Sequence, residues 1–66
     1  MDADKLVKQH IEKLKTDCLW LKEISRNADT HEVREGLKQL AYQCQDEARE
    51  IYIRSEMMPP LWTENR

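Results

Sequence analysis

The fold is decided by residues 11–44, which read IEKLKTDCLWLKEISRNADTHEVREGLKQLAYQC. On both sides of a short polar break, apolar residues recur in alternating steps of four and three, which places them on one face of a helix. The first apolar ladder comprises Val7, Ile11, Leu14, Cys18 and Leu21, and the second comprises Val33, Leu37, Leu40, Cys44, Ala48, Ile51 and Met58. The pattern predicts an all-α fold, an antiparallel helical hairpin in which two long helices pack along these ladders.

The ends of the predicted helices follow from capping and proline signals. Asn27 tolerates the left-handed conformation of a helix C-cap, and Asp29 with Glu32 makes a variant of the capping box for the second helix. Pro59 and Pro60 are expected to stop that helix. We predict one hairpin domain over residues 1–66, with helix 1 at about 4–26, a turn at 27–29, helix 2 at about 30–57 and a tail at 58–66.

Folding the chain about the turn stacks the two ladders, with Cys18 opposite Leu40 and Leu14 opposite Cys44. One side of every apolar layer stays open to water, and isolated two-helix units are seldom stable. Helix 2 also carries a stripe of small residues that would let another helix approach: Ala41, Ala48 and Ser55. We therefore predict a homodimer that forms a four-helix bundle. A monomer whose tail folds back and a hairpin completed by a different protein are the alternatives.

Composition limits the chemistry that this chain can perform. It has 66 residues, a formal net charge of -2, two cysteines on the apolar ladders and one glycine, Gly36, inside helix 2, where we expect it to admit Ile24. Neither the cysteines nor the histidines have the short spacing of a zinc site, and a glycine-rich phosphate loop is missing. We expect no enzymatic activity, metal or cofactor. Thiols on buried ladders and no apolar stretch of membrane length predict a soluble, cytoplasmic protein with reduced cysteines.

Exposed apolar residues outside the ladders favour a regulatory or adaptor protein that binds another protein. Leu19 and Trp20 lie on the outer surface of helix 1, and the tail includes Leu61 and Trp62. We predict these four residues as the partner-binding site, with Trp20 as an anchor. The tail either packs on the bundle or docks into a partner as a short motif. In a twofold antiparallel dimer it could instead cover Leu19 and Trp20 of the other subunit.

A basic stripe on helix 1 leads to a second hypothesis. Lys8, Lys15 and Lys22 recur every seven residues and could contact the phosphates of RNA or DNA, although charged residues beside a coiled-coil seam have the same spacing. The layout also resembles the plasmid copy-number RNA modulator Rop, through the cysteine-containing ladders and the stretch from Asp46 to Ser55. That resemblance implies a homodimeric four-helix bundle that binds RNA. No family residue is carried over, because the Rop RNA face includes a phenylalanine and this chain has none.

Overall fold

The computed structural model describes residues 3–64 and contains two long helices that pack against each other as a hairpin. Helix α1 is Ala3–Arg26, helix α2 is His31–Arg54, and a short 3₁₀ helix, Leu61–Thr63, follows α2. The chain measures 43 × 23 × 14 Å. The predicted all-α hairpin is therefore confirmed.

Helix α1 ends in a tight turn, without a left-handed residue. The backbone N–H groups of Asn27 and Ala28 donate to the carbonyls of Ile24 and Ser25, three residues back. The Asn27 side chain donates to the carbonyl of Glu23 at 3.0 Å and so satisfies one of the free carbonyls at the helix end. The prediction of a left-handed Asn27 is wrong, since its φ is not positive.

Helix α2 is capped by Thr30, one residue later than predicted. Thr30 has extended backbone angles, and its hydroxyl oxygen accepts a hydrogen bond from the backbone N–H of Val33 at 3.2 Å. The capping box predicted for Asp29 is wrong, because a cap at Thr30 puts Val33 where the box requires a glutamate or glutamine. The guanidinium of Arg34 also donates to the carbonyl of Ala28 at 3.1 Å, which ties the turn to the first part of α2.

Helix α2 ends three residues before the predicted position 57, and the prolines are not what stops it. Glu56 has a φ of 58°. The Met57 N–H donates to the Tyr52 carbonyl at 2.9 Å, and the Glu56 N–H donates to the Ile53 carbonyl at 3.0 Å. This pair of bonds defines a Schellman motif, in which a left-handed residue closes the helix. Glu56 occupies the position where glycine is preferred.

The core is a narrow strip, and α2 is rotated about its axis relative to the predicted register. Leu40, predicted to lie opposite Cys18, is 48% exposed, and Val33 is also exposed. Ala41 is fully buried instead, and Ala48, a member of the predicted ladder, is fully buried as expected. Side chains of this size let the two helices approach closely. Two of the three residues in the stripe predicted to receive a further helix are thus covered within the chain, whereas the third, Ser55, is exposed. The buried residues are Ile11, Leu14, Cys18 and Ser25 of α1, Ala41, Gln45 and Ala48 of α2, and Thr63.

Gly36 does not make room for a neighbouring side chain. It lies in the exposed part of α2, and a Cβ atom at this position would meet nothing within 4 Å. The prediction that Gly36 is needed to admit Ile24 is wrong. The glycine lowers helix propensity without a packing benefit in the hairpin.

Candidate protein-binding surfaces

The tail is attached to α2 by one buried side chain, Gln45. Its amide nitrogen donates to the carbonyl of Trp62 at 2.7 Å and to the carbonyl of Glu64 at 3.0 Å. Thr63, between them, is 1% exposed, and its hydroxyl donates to the Pro60 carbonyl at 2.6 Å. Because both N–H groups of the amide have partners, the backbone of the tail is fixed in position on α2.

Two apolar side chains of this fixed tail point away from the hairpin. Met58 is 91% exposed and Leu61 is 82% exposed, the two highest values among the large apolar residues that the structure describes. Pro59 and Pro60 lie between them and restrict the backbone further. The tail therefore packs on the hairpin through its backbone and Thr63, and presents Met58 and Leu61 to solvent. Packing of the tail on the hairpin and docking of the tail into a partner, predicted as alternatives, are therefore compatible.

A second apolar surface lies along one seam of the hairpin. Two clefts follow each other along this seam, and most of the α1 residues that line them share one face of the helix by their spacing of three or four positions: Asp17, Trp20, Leu21 and Ile24. We call this surface the seam groove and define it by its apolar lining: Trp20, Leu21, Ile24, Val33, Leu37, Leu40 and Cys44. Trp20 is 66% exposed at its edge. The groove contains most of the second predicted ladder, which the rotation of α2 leaves only partly covered.

Carboxylates mark both ends of the seam groove. Asp17 and Glu47 line the end nearer the open end of the hairpin, and Glu23 and Asp29 line the end nearer the turn. Just beyond the first pair, the His10 ring nitrogen lies 3.5 Å from a Glu47 carboxylate oxygen, which links the two helices. The groove therefore has an apolar middle and acidic ends, a charge pattern that disfavours nucleic acid as its occupant.

The four residues predicted to bind a partner divide between these surfaces. Trp20 lines the seam groove, whereas Leu61 belongs to the tail. Leu19 is exposed on α1 but does not line the groove. Trp62 is partly buried, with its carbonyl bound to Gln45. Sequence reasoning missed Gln45 itself, although a polar residue spaced four and three positions from Ala41 and Ala48 lies on their face of the helix and was a usable signal.

The lysine stripe of the second hypothesis lies on α1 outside the seam groove. Lys8 is exposed, whereas Lys15 and Lys22 are partly covered. Lys8 lines a separate cleft at the open end of the hairpin, together with Val7 and Tyr52. The three lysines of the stripe are therefore not equally accessible to the phosphates of a nucleic acid, and Lys8 is the most accessible of them.

Both cysteines are free thiols. Cys18 is buried as predicted, and Cys44 is only partly buried because it lines the seam groove. Burial raises the pKa of the Cys18 thiol, against the opposing effect of the Lys22 ammonium. Burial also raises the pKa of the Cys44 thiol, and the carboxylate of Asp17 adds to this shift. Raised pKa values keep both thiols protonated near neutral pH and make them poor nucleophiles.

Comparison with known proteins adds no family to this description. No protein-family model matches the chain, and searches of curated proteins and of solved structures gave no match either. Within residues 3–64, neither helix is long and apolar enough to cross a membrane. The same residues contain no group of three or more histidine, cysteine, aspartate or glutamate side chains arranged to hold a metal ion.

Proposed function

We propose that the protein is a small non-enzymatic regulatory or adaptor protein of the cytoplasm, which acts by occupying a surface of a protein partner through its tail. One observation carries the proposal: Met58 and Leu61 are almost fully exposed, and Gln45 and Thr63 hold the backbone around Leu61 in place. Large apolar side chains in such a position lower the solubility of the folded chain and contribute little to its core, which is typical of a surface that binds another protein.

The order of the tail is what makes it suitable for binding. A disordered peptide loses conformational entropy when it binds, and a segment that is already ordered avoids most of this cost. The hydrogen bonds of Gln45 therefore prepare Leu61 for a partner. Leu61 and Met58 are the primary contact in this proposal, and the predicted residues Leu19 and Trp62 are secondary contacts, whereas Trp20 lines the seam groove. The active unit is a homodimer that forms a four-helix bundle.

Capture from native lysate tests the proposal when it is done with matched variants. Leu61→Ala and Met58→Ala remove the proposed contact, and Leu6→Ala is the control, because Leu6 is a half-exposed leucine on the first turn of α1. We expect wild type and Leu6→Ala to retain one specific protein and the two tail variants to lose it, with unchanged thermal unfolding. Equal capture by Leu61→Ala, Met58→Ala and Leu6→Ala would contradict the proposal.

Nuclease treatment and a salt series separate this function from binding to RNA or DNA. Phosphate contacts make affinity fall steeply with ionic strength, whereas an apolar contact is insensitive to it. We expect capture to survive both treatments. If nuclease or moderate salt abolishes it, and alanine at Lys8 does the same, the nucleic-acid hypothesis replaces the present one.

A further inference from the structure

We infer that the seam groove is the surface through which two copies of this chain associate, so that the groove of each copy is covered by the other. The inference rests on the homodimer of the proposed function and assigns it a specific interface. It does not involve Met58 or Leu61, because the groove is lined by residues of α1, α2 and the turn between them. The tail is left free for another protein.

The exposed area of the chain supports a second copy as the occupant. The accessible surface is 5335 Å². Monomeric proteins of 7.9 kDa expose about 4,400 Å². The excess of about 900 Å² is close to the roughly 800 Å² that each partner buries in a standard interface. The association of two identical hairpins would therefore bring each one to the exposed area expected for its mass.

The polarity of the groove agrees with an interface between folded proteins. Such interfaces have an apolar centre surrounded by a polar rim. Here Leu37 and Leu40 lie in the middle, and the two pairs of carboxylates lie at the ends. A twofold axis through the middle joins the two apolar centres. The crossing angle of packed helices then lets the acidic ends diverge into solvent.

Helix α2 provides a matched pair of variants for a direct test. Leu40 in the groove is 48% exposed, and Ile53, which does not line the groove, is 52% exposed. The 13 positions between them turn the helix by about 140°, so the two side chains lie on different faces. Leu40→Glu would place a charge in the proposed interface, and Ile53→Glu would place the same charge in solvent. Val33→Glu, also in the groove, provides a second groove variant.

Sedimentation velocity from about 1 to about 500 µM measures the association, with far-UV circular dichroism to select variants that keep the hairpin. We expect a concentration-dependent dimer for wild type and for Ile53→Glu. Leu40→Glu and Val33→Glu should weaken it at least about tenfold. A monomeric wild type over the whole range would overturn the inference. Equal weakening by Leu40→Glu and Ile53→Glu would also overturn it, because association would then use another surface.

Thiol alkylation of the unmodified protein gives a readout that needs no variant. Cys44 lines the groove and Cys18 is already buried in the hairpin. We expect the alkylation rate of Cys44 to fall as protein concentration rises, with Cys18 slow throughout. A Cys44 rate that does not change across a sedimentation-detected dimer transition would place the groove outside the interface. A monomer that still binds its partner through Leu61 would overturn this inference and the homodimer, and would leave the binding role of the tail intact. A dimer without Leu61-dependent capture would overturn the binding role of the tail and leave this inference intact.

Discussion

Replacement of Gln45 by alanine tests how strongly the tail is attached. The substitution removes two hydrogen bonds, at 2.7 and 3.0 Å, worth about 1 kcal/mol each. It also loses the burial of one methylene group, Cγ, about 0.8 kcal/mol. The side-chain oxygen of Gln45 is buried without a partner, so its removal regains about 1–2 kcal/mol. We expect a net loss of about 1 kcal/mol in the free energy of unfolding, which is measurable in a domain of this size.

Urea denaturation followed by circular dichroism measures this loss, with Gln39→Ala as the control, since Gln39 is an exposed glutamine on the same helix. Release of the tail is measured separately by the fluorescence of Trp62 in a Trp20→Phe background, where we expect a red shift in Gln45→Ala. If Gln45→Ala and Gln39→Ala differ by less than about 0.5 kcal/mol and Trp62 does not shift, then Gln45 does not hold the tail.

Four further predictions concern single positions. Gly36→Ala should raise the free energy of unfolding by about 1 kcal/mol in urea, since the new methyl group meets nothing within 4 Å. Glu56→Gly should raise the thermal midpoint, with a gain of about 0.5–1 kcal/mol, because Glu56 has a φ of 58°; a lower midpoint would argue against the left-handed cap. Thr30→Ala should cost about 1 kcal/mol in urea and Asp29→Ala much less, since Thr30 accepts the capping hydrogen bond. The free energy of unfolding should fall as pH rises past 9.0, the ordinary pKa of a thiol, because the Cys18 thiol ionises at lower pH in the unfolded chain than in the folded one. Denaturation at several pH values should show a smaller fall for Cys18→Ala.

The apolar ladders were sufficient to predict the hairpin and both its helices, because periodicity reports which face of a helix is apolar. They were not sufficient to predict the rotation of α2. Leu40 and Ala41 are neighbours in sequence, and hydrophobicity favours Leu40 as the buried one. The structure buries Ala41, because contact between helices depends on how closely the backbones approach as well as on the apolar area of each side chain.

The binding surfaces depended on features that the sequence carries only weakly. Exposed apolar residues at Trp20 and Leu61 were predicted from their positions outside the ladders, and the structure places them on two separate surfaces. The attachment of the tail could not be predicted, because it depends on a contact between Gln45 and carbonyls 17 and 19 residues further along the chain. Such contacts between distant positions leave no periodic signal in one sequence.

The position of Gln45 also sets an order of events during folding. Local hydrogen bonds close the turn between the helices, with Asn27 and Arg34 as donors and Thr30 as an acceptor, so the hairpin can start there and extend towards its open end. The tail has no binding site until α2 has formed around Gln45. We therefore expect docking of the tail to be the last step of folding and its release to be the first step of unfolding. Trp62 would report both steps in a stopped-flow experiment.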